Sequence, residues 1–191
     1  MTVWHWVRHG PTHEKAFVGW RDVPADLSDT AAITRLDAYL PKDALLVSSD
    51  LIRAVATADV LAKGRARLPH SADIREFNFG DWDGLRFDAI AAAHPDLSRR
   101  YWEEPGDVAP PGGESWNEVA LRVGAFVDRM NADHPEAEIV AVAHVGVILT
   151  QIQRAAGCTA YDALAHVIGN LSVTRLIHDG TWRVKAINHA P

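Results

Sequence analysis

Ile139-Val140-Ala141-Val142-Ala143 is five apolar residues in a row, three of them β-branched, and a helical pattern follows at once. A run that short, with no polar alternation, reads as a strand covered on both faces. Such strands belong to sheets sandwiched between helices, and two earlier stretches repeat the arrangement. Val3–Val7 is apolar apart from His5 and breaks at Gly10-Pro11; Ala44-Leu45-Leu46-Val47 ends in Ser48-Ser49-Asp50, residues that favour helix starts. The expected fold is therefore α/β, a three-layer, mostly parallel sheet with helices on both faces. Ser172–His178 and Trp182–Asn188, joined at Asp179-Gly180, read as a terminal hairpin giving an antiparallel C-terminal edge.

The helices follow from periodicity and caps. Ser28 or Asp29 caps one carrying Ile33, Leu36 and Leu40, which Pro41 stops. A second runs from about Leu51 to Lys63, and a short one covers Phe87–Ala93 before His94-Pro95. Ser115 and Glu118 have capping-box spacing ahead of the stripe Val119, Val123, Phe126, Val127 and Met130. The last starts after His144 and ends at Gly157. Asp96–Pro111, rich in proline and charge, reads as an irregular surface excursion able to cover a site.

The 191 residues fit one domain, 1–191, and 48% hydrophobic content is ample for a core. A net charge of −6 argues against a general nucleic-acid binder. No apolar run approaches roughly 18 residues, so no membrane partner is expected, nor is a secretory leader. One cysteine, Cys158, excludes a disulfide framework and fits a reducing cytoplasm. A monomer or homodimer is expected.

Three strand-to-helix junctions carry cationic or imidazole groups: Arg8-His9, Arg53 and His144. In a parallel sheet all three lie on the carboxyl edge, where α/β proteins bind ligands. Helix N-termini there add unpaired amides, and the set suits a tetrahedral anion. His5, His9 and His13 recur every four residues, but His5 and His9 would lie roughly 13 Å apart along a strand, too far to share a metal. Glu76, Asp81, Asp83 and Glu14 all offer carboxyl groups, and spacing alone does not choose among them. Asp81 and Asp83 are read as satisfying turn amides, Glu114 as structural, and Trp20 and Trp82 as candidates for the site entrance.

The ordered blocks Arg8-His9-Gly10, Gly19-Trp20-Arg21-Asp22, Ser48–Ala54, Glu76 with Gly80-Asp81-Trp82-Asp83-Gly84, Pro111–Ser115 and Ala143-His144-Val145-Gly146 resemble the histidine phosphatase superfamily, in its phosphoglycerate mutase-like branch. Among its compact members the chain most resembles alpha-ribazole phosphatase and the broad-specificity small-molecule phosphatases. The resemblance implies a phosphomonoester hydrolase acting on a small phosphorylated metabolite through a phosphohistidine on His9. It also implies that Arg8, Arg53 and His144 hold phosphoryl oxygens, that Glu76 carries the proton, and that no metal or cofactor takes part. Thr12, Lys15, Gly19 and Val145 are the expected substrate contacts. Departures stand at Asp50, where proline is usual, at Val145, where glycine often follows the histidine, and at Glu14-Lys15, which replaces a common Trp-Asn pair. A phosphoglycerate-type mutase, with Arg99-Arg100 as a carboxylate site, and a noncatalytic phospholigand binder are the alternatives.

Overall fold

The computed structural model describes residues 1–191. In chain order the elements are β1 (Thr2–Arg8), α1 (Thr30–Tyr39), β2 (Leu45–Ser48), α2 (Ile52–Leu61), β3 (Ala66–Arg67), α3 (Phe87–Ala93), α4 (Pro95–Glu103), α5 (Trp116–Asp133), β4 (Glu138–Ala143), α6 (Val145–Ala156), α7 (Ala160–Leu164), β5 (Val173–His178) and β6 (Trp182–His189). The strands form one six-stranded sheet in the order β3-β2-β4-β1-β5-β6. β1, β2, β3 and β4 pair in parallel, whereas β5 joins β1 and β6 antiparallel. This is the expected mostly parallel sheet with its antiparallel C-terminal edge.

The uninterrupted apolar run of β4 has a simple cause. It lies between β2 and β1, so neither edge meets solvent, and its alternate side chains enter different cores. Ile139, Ala141 and Ala143 pack under α5 and α6 with Val123, Val127 and Ile148; Val140 and Val142 pack under α1 and α2 with Leu36, Ala54 and Leu61. A side-chain period of two over two covered faces leaves no room for a polar residue. β1 follows the same rule, sending Trp4 and Trp6 to the first core and Val7 to the second.

The caps form as expected: Asp29 accepts from the Ala32 amide, Ser115 and Glu118 close a capping box, and Gly157 ends α6 in the left-handed region at φ 64°. The excursion differs from expectation. Residues 95–103 form α4, with Pro95 in its first turn. Proline cannot continue the preceding helix, yet its fixed φ and missing donor suit a helix start. Tyr101 of α4 then joins Trp82 and Ile90 in a third small core.

Arg65 supports the second core from below. Its guanidinium is buried and donates to the Asp37 carboxylate at 2.7 Å, the Pro41 carbonyl at 2.8 Å and the Leu40 carbonyl at 3.1 Å. Arg65→Met leaves the Pro41 and Leu40 carbonyls without that donor while Asp37 keeps Lys42 at 3.1 Å, so unfolding stability should fall by about 1–3 kcal/mol, read as a lower urea midpoint with unchanged slope.

Candidate active site

β1 and β4 end side by side, and their ladder continues one step further: the His9 amide donates to the Ala143 carbonyl at 3.1 Å. That register sets His9 and His144 together, ring centres 5.1 Å apart. The His9 backbone is fixed by Asn170, whose Nδ2 donates to its carbonyl at 2.8 Å, and by Thr57, whose hydroxyl accepts from the Gly10 amide at 3.0 Å. Thr57 lies one turn beyond Arg53 on α2 and donates its own proton back to the Arg53 carbonyl.

Two contacts define the His9 ring. Nδ1 lies 2.7 Å from the Gly10 carbonyl, which can only accept, so Nδ1 bears the proton. Nε2 faces Arg53 Nε at 3.3 Å, which can only donate, so Nε2 presents its lone pair. Burial, with the Arg53 and Arg8 charges behind it, pushes the imidazole down to about 3, against the opposing Gly10 bond. The ring is thus neutral with an unprotonated Nε2. Its ring nitrogen NMR shifts should stay those of the neutral Nδ1–H tautomer from pH 8 to about pH 5, whereas an ordinary histidine titrates near 6.5.

Arg53, in the first turn of α2, is buried and ties the entrance loop through both terminal nitrogens, Nη1 donating to the Arg21 carbonyl at 3.0 Å and Nη2 to the Gly19 carbonyl at 2.7 Å. Arg8 Nη1 donates to the Ile168 carbonyl at 2.6 Å, while its buried Nε has no partner. His144, fully buried where α6 begins, has no partner at either ring nitrogen. Burial, then His9 and both arginines, hold it well below its ordinary value. Buried polar atoms normally have partners; here Arg8 Nε and both ring nitrogens of His144, the ring beside His9, lack them. Unused bonding capacity beside a lone pair, backed by two guanidiniums, suits the oxygens of a tetrahedral anion.

Glu76 lines the same cavity, about 290 Å³ in volume, that Arg8 and His9 line. Its carboxyl is buried, with Oε1 accepting from the Phe77 amide at 3.0 Å and Oε2 from the Gly146 amide at 3.3 Å. Burial raises its pKa, outweighing those two bonds and the Arg53 and Arg8 charges. Gly146 is obligatory on space alone: a Cβ there would stand 2.4 Å from Glu76 Oε1 and 2.4 Å from the Phe77 ring. Gly146→Ala should therefore cost about 1–3 kcal/mol of stability, seen in urea unfolding, and reduce turnover by displacing Glu76.

The other candidates divide. Thr12, Glu14 and Val145 line the cavity. Lys15 and Gly19 do not: Lys15 is solvent-exposed, and the Gly19 peptide is a strut, its amide donating to Asp83 at 3.0 Å and its carbonyl held by Arg53. Asp83 also accepts from the Arg21 amide at 3.0 Å, so it does satisfy backbone amides, but those of the entrance loop and not of its own turn. Glu114 is structural, bonded to the Asn78 amide and paired with Arg122 at 2.8 Å. Trp82 is fully buried in the third core, and Trp20 donates to the Glu76 carbonyl at 2.8 Å without lining the cavity. The aromatic side chains that do line it include Phe17, Trp102 and Trp116, none singled out by sequence. His5 bonds Glu138 across the β1–β4 pair and His13 bonds Asp26, so neither approaches His9.

Residues 5–190 match the model of the histidine phosphatase superfamily (branch 1), and the chain belongs to that family. A bifunctional protein of Mycobacterium tuberculosis is 33% identical over 174 residues, 90% of this chain; the chain spans about half, 46%, of that relative's length. Two solved structures share the fold over nearly the whole of both chains. Bacillus stearothermophilus YhfR superposes with a TM-score of 0.91 at 25% identity, covering 100% of this chain and 98% of its own. A mycobacterial glucosyl-3-phosphoglycerate phosphatase does so with a TM-score of 0.86 at 30% identity, covering 99% of each.

Proposed function

We propose that the chain is a phosphomonoester hydrolase for a small phosphorylated metabolite, working through a phosphohistidine on His9. The observation that carries this reading is the His9 tautomer: a neutral ring whose Nε2 lone pair stands beside Arg53, Arg8 and the unpartnered His144. Nε2 forms a bond to phosphorus as the ester P–O bond breaks, and two displacements replace one. Arg8, whose Nε lacks a partner, and His144, whose ring nitrogens lack partners, hold nonbridging oxygens as charge moves onto them, and the Arg53 Nε–H joins them when Nε2 gives up its lone pair to phosphorus. Glu76, whose pKa burial raises, gives its proton to the departing alkoxide. Its carboxylate then takes a proton from water, whose oxygen attacks phosphorus; the N–P bond breaks and phosphate leaves. Guanidiniums supply the positive charge, so no metal enters the scheme. Phosphatase relatives of the same fold support it, and a single cysteine in the sequence fits a reducing, cytoplasmic setting.

Rapid acid or base quench with a 32P-labelled ester tests the covalent step. Label that is lost in acid, retained in base and mapped to His9 is expected; turnover without it overturns the scheme. Mutase chemistry would need a cation for the substrate carboxylate. Arg99 and Arg100 are spent on Glu103 and Glu104 along the exposed side of α4, away from the cavity. Supplying 3-phosphoglycerate with 2,3-bisphosphoglycerate should therefore release phosphate or nothing, and no 2-phosphoglycerate.

A further inference from the structure

The cavity beside His9 and Glu76 is apolar over most of its wall. Phe17, Phe79, Trp102, Val108, Trp116 and Leu164 contribute to it. Phe17 lies between Phe79 and Trp102, with ring centres 5.0 and 5.9 Å away, so the aromatic wall is continuous and braced.

Charge is nearly absent from it. Arg8 is the only lysine or arginine lining the cavity, and the other charged groups are the carboxyls Glu14 and Glu76. Arg21 answers Glu14 at 3.2 Å but is tied to Asp83 as well and lies outside the lining. The Trp102 indole N–H, which has no partner, is a neutral donor. Once Arg8 and Arg53 hold the phosphoryl group, no cation remains for a second anionic group. A carboxylate placed against this wall would lose its hydration without an ion pair, which is strongly unfavourable. An alkyl or aromatic group would gain from burial there.

We propose that the site selects monophosphates of apolar or aromatic alcohols that carry no charge besides the phosphate, and rejects phosphorylated hydroxy acids. The proposal rests on His9 being the phosphoryl acceptor and adds to it the identity of the leaving alcohol. The alcohol oxygen faces Glu76 and the carbon skeleton lies along Phe17 and Trp102.

The test is a homologous series of alkyl phosphates, ethyl to hexyl, held below their micellar concentrations. Their leaving groups are matched in basicity, so the slope reports binding of the carbon chain. kcat/KM should rise about fourfold per methylene. A terminal carboxylate on the hexyl chain should lower it at least about tenfold. Trp102→Ala should shrink the hexyl-to-ethyl ratio about tenfold, and the wild-type series stands alone if that variant does not fold. A flat series, or 3-phosphoglycerate turned over better than hexyl phosphate, overturns the selectivity while the His9 phosphoenzyme still forms. No turnover of any ester and no labelled His9 overturns the hydrolase reading as well, so the two failures are distinguishable.

Discussion

His9→Asn should lose on the order of 10⁴-fold or more in kcat and form no acid-labile phosphoenzyme. The size follows from what remains. Arg8, Arg53, His144 and Glu76 stay in place, but none offers an unprotonated lone pair facing the position of phosphorus, so the two-step route closes. Asparagine keeps a short polar side chain near the Gly10 carbonyl, and the Asn170 and Thr57 contacts to the backbone are untouched. Binding of inorganic phosphate, followed by calorimetry, should therefore persist within about tenfold of wild type, since the guanidinium contacts dominate it. Retained affinity with abolished turnover separates attack from binding. If His9→Asn instead lost both in proportion, His9 would be a binding group and the covalent scheme would fail.

Glu76→Gln should distinguish substrates by their leaving groups. Alkyl phosphates expel a strongly basic alkoxide that needs a proton as it departs, and loss of the donor should cost about 10²- to 10⁴-fold. The 4-nitrophenolate ion leaves unaided, so its release should slow less than about tenfold. The pH profile gives a second reading. Burial raises the Glu76 pKa, so the protonated, donating form persists above the ordinary carboxylate range and is lost as pH rises through the shifted value. Wild-type kcat/KM on alkyl phosphates should thus fall on the alkaline side, and the Gln variant should lack that limb. Glutamine replaces one acceptor oxygen by a donor facing the Phe77 or Gly146 amide, so about 1 kcal/mol of stability should also go. Urea midpoints separate that from the catalytic loss. Equal slowing of both ester types would mean Glu76 is not the proton donor.

Much of this architecture was legible because it rests on local rules. The uninterrupted apolar run of β4, the capping box at Ser115 and the cationic or imidazole residues just past three strands each follow from short-range chemistry. Together they place Arg8, His9, Arg53 and His144 on one edge. Glu76 was legible only through family resemblance, since it sits on no strand end; a 3-10 turn at Ala72–Ile74 and the close approach of Gly146 deliver it. The cavity wall was not legible. Pro95 ends one helix and also starts the next, and α4 carries so polar an outer face that its buried Tyr101 and half-buried Trp102 form no clear stripe. Trp82 and Trp102 are alike as residue types; tertiary packing alone sends one into a core and the other to the cavity. Lys15 and Gly19 lie outside the cavity lining for the same reason, because backbone geometry in the Thr12–Asp22 loop decides which atoms face inward.

The division of labour between sheet and excursion has an evolutionary consequence. Every group proposed to handle phosphorus sits on the paired ends of β1 and β4, at the start of α2, or against the first turn of α6. The wall that meets the alcohol is drawn largely from Phe17 and Phe79 and from the stretch holding Trp102 and Val108. A lineage can therefore replace or lengthen the segment between α3 and α5, and so acquire a new substrate, without disturbing the register that places His9 beside His144.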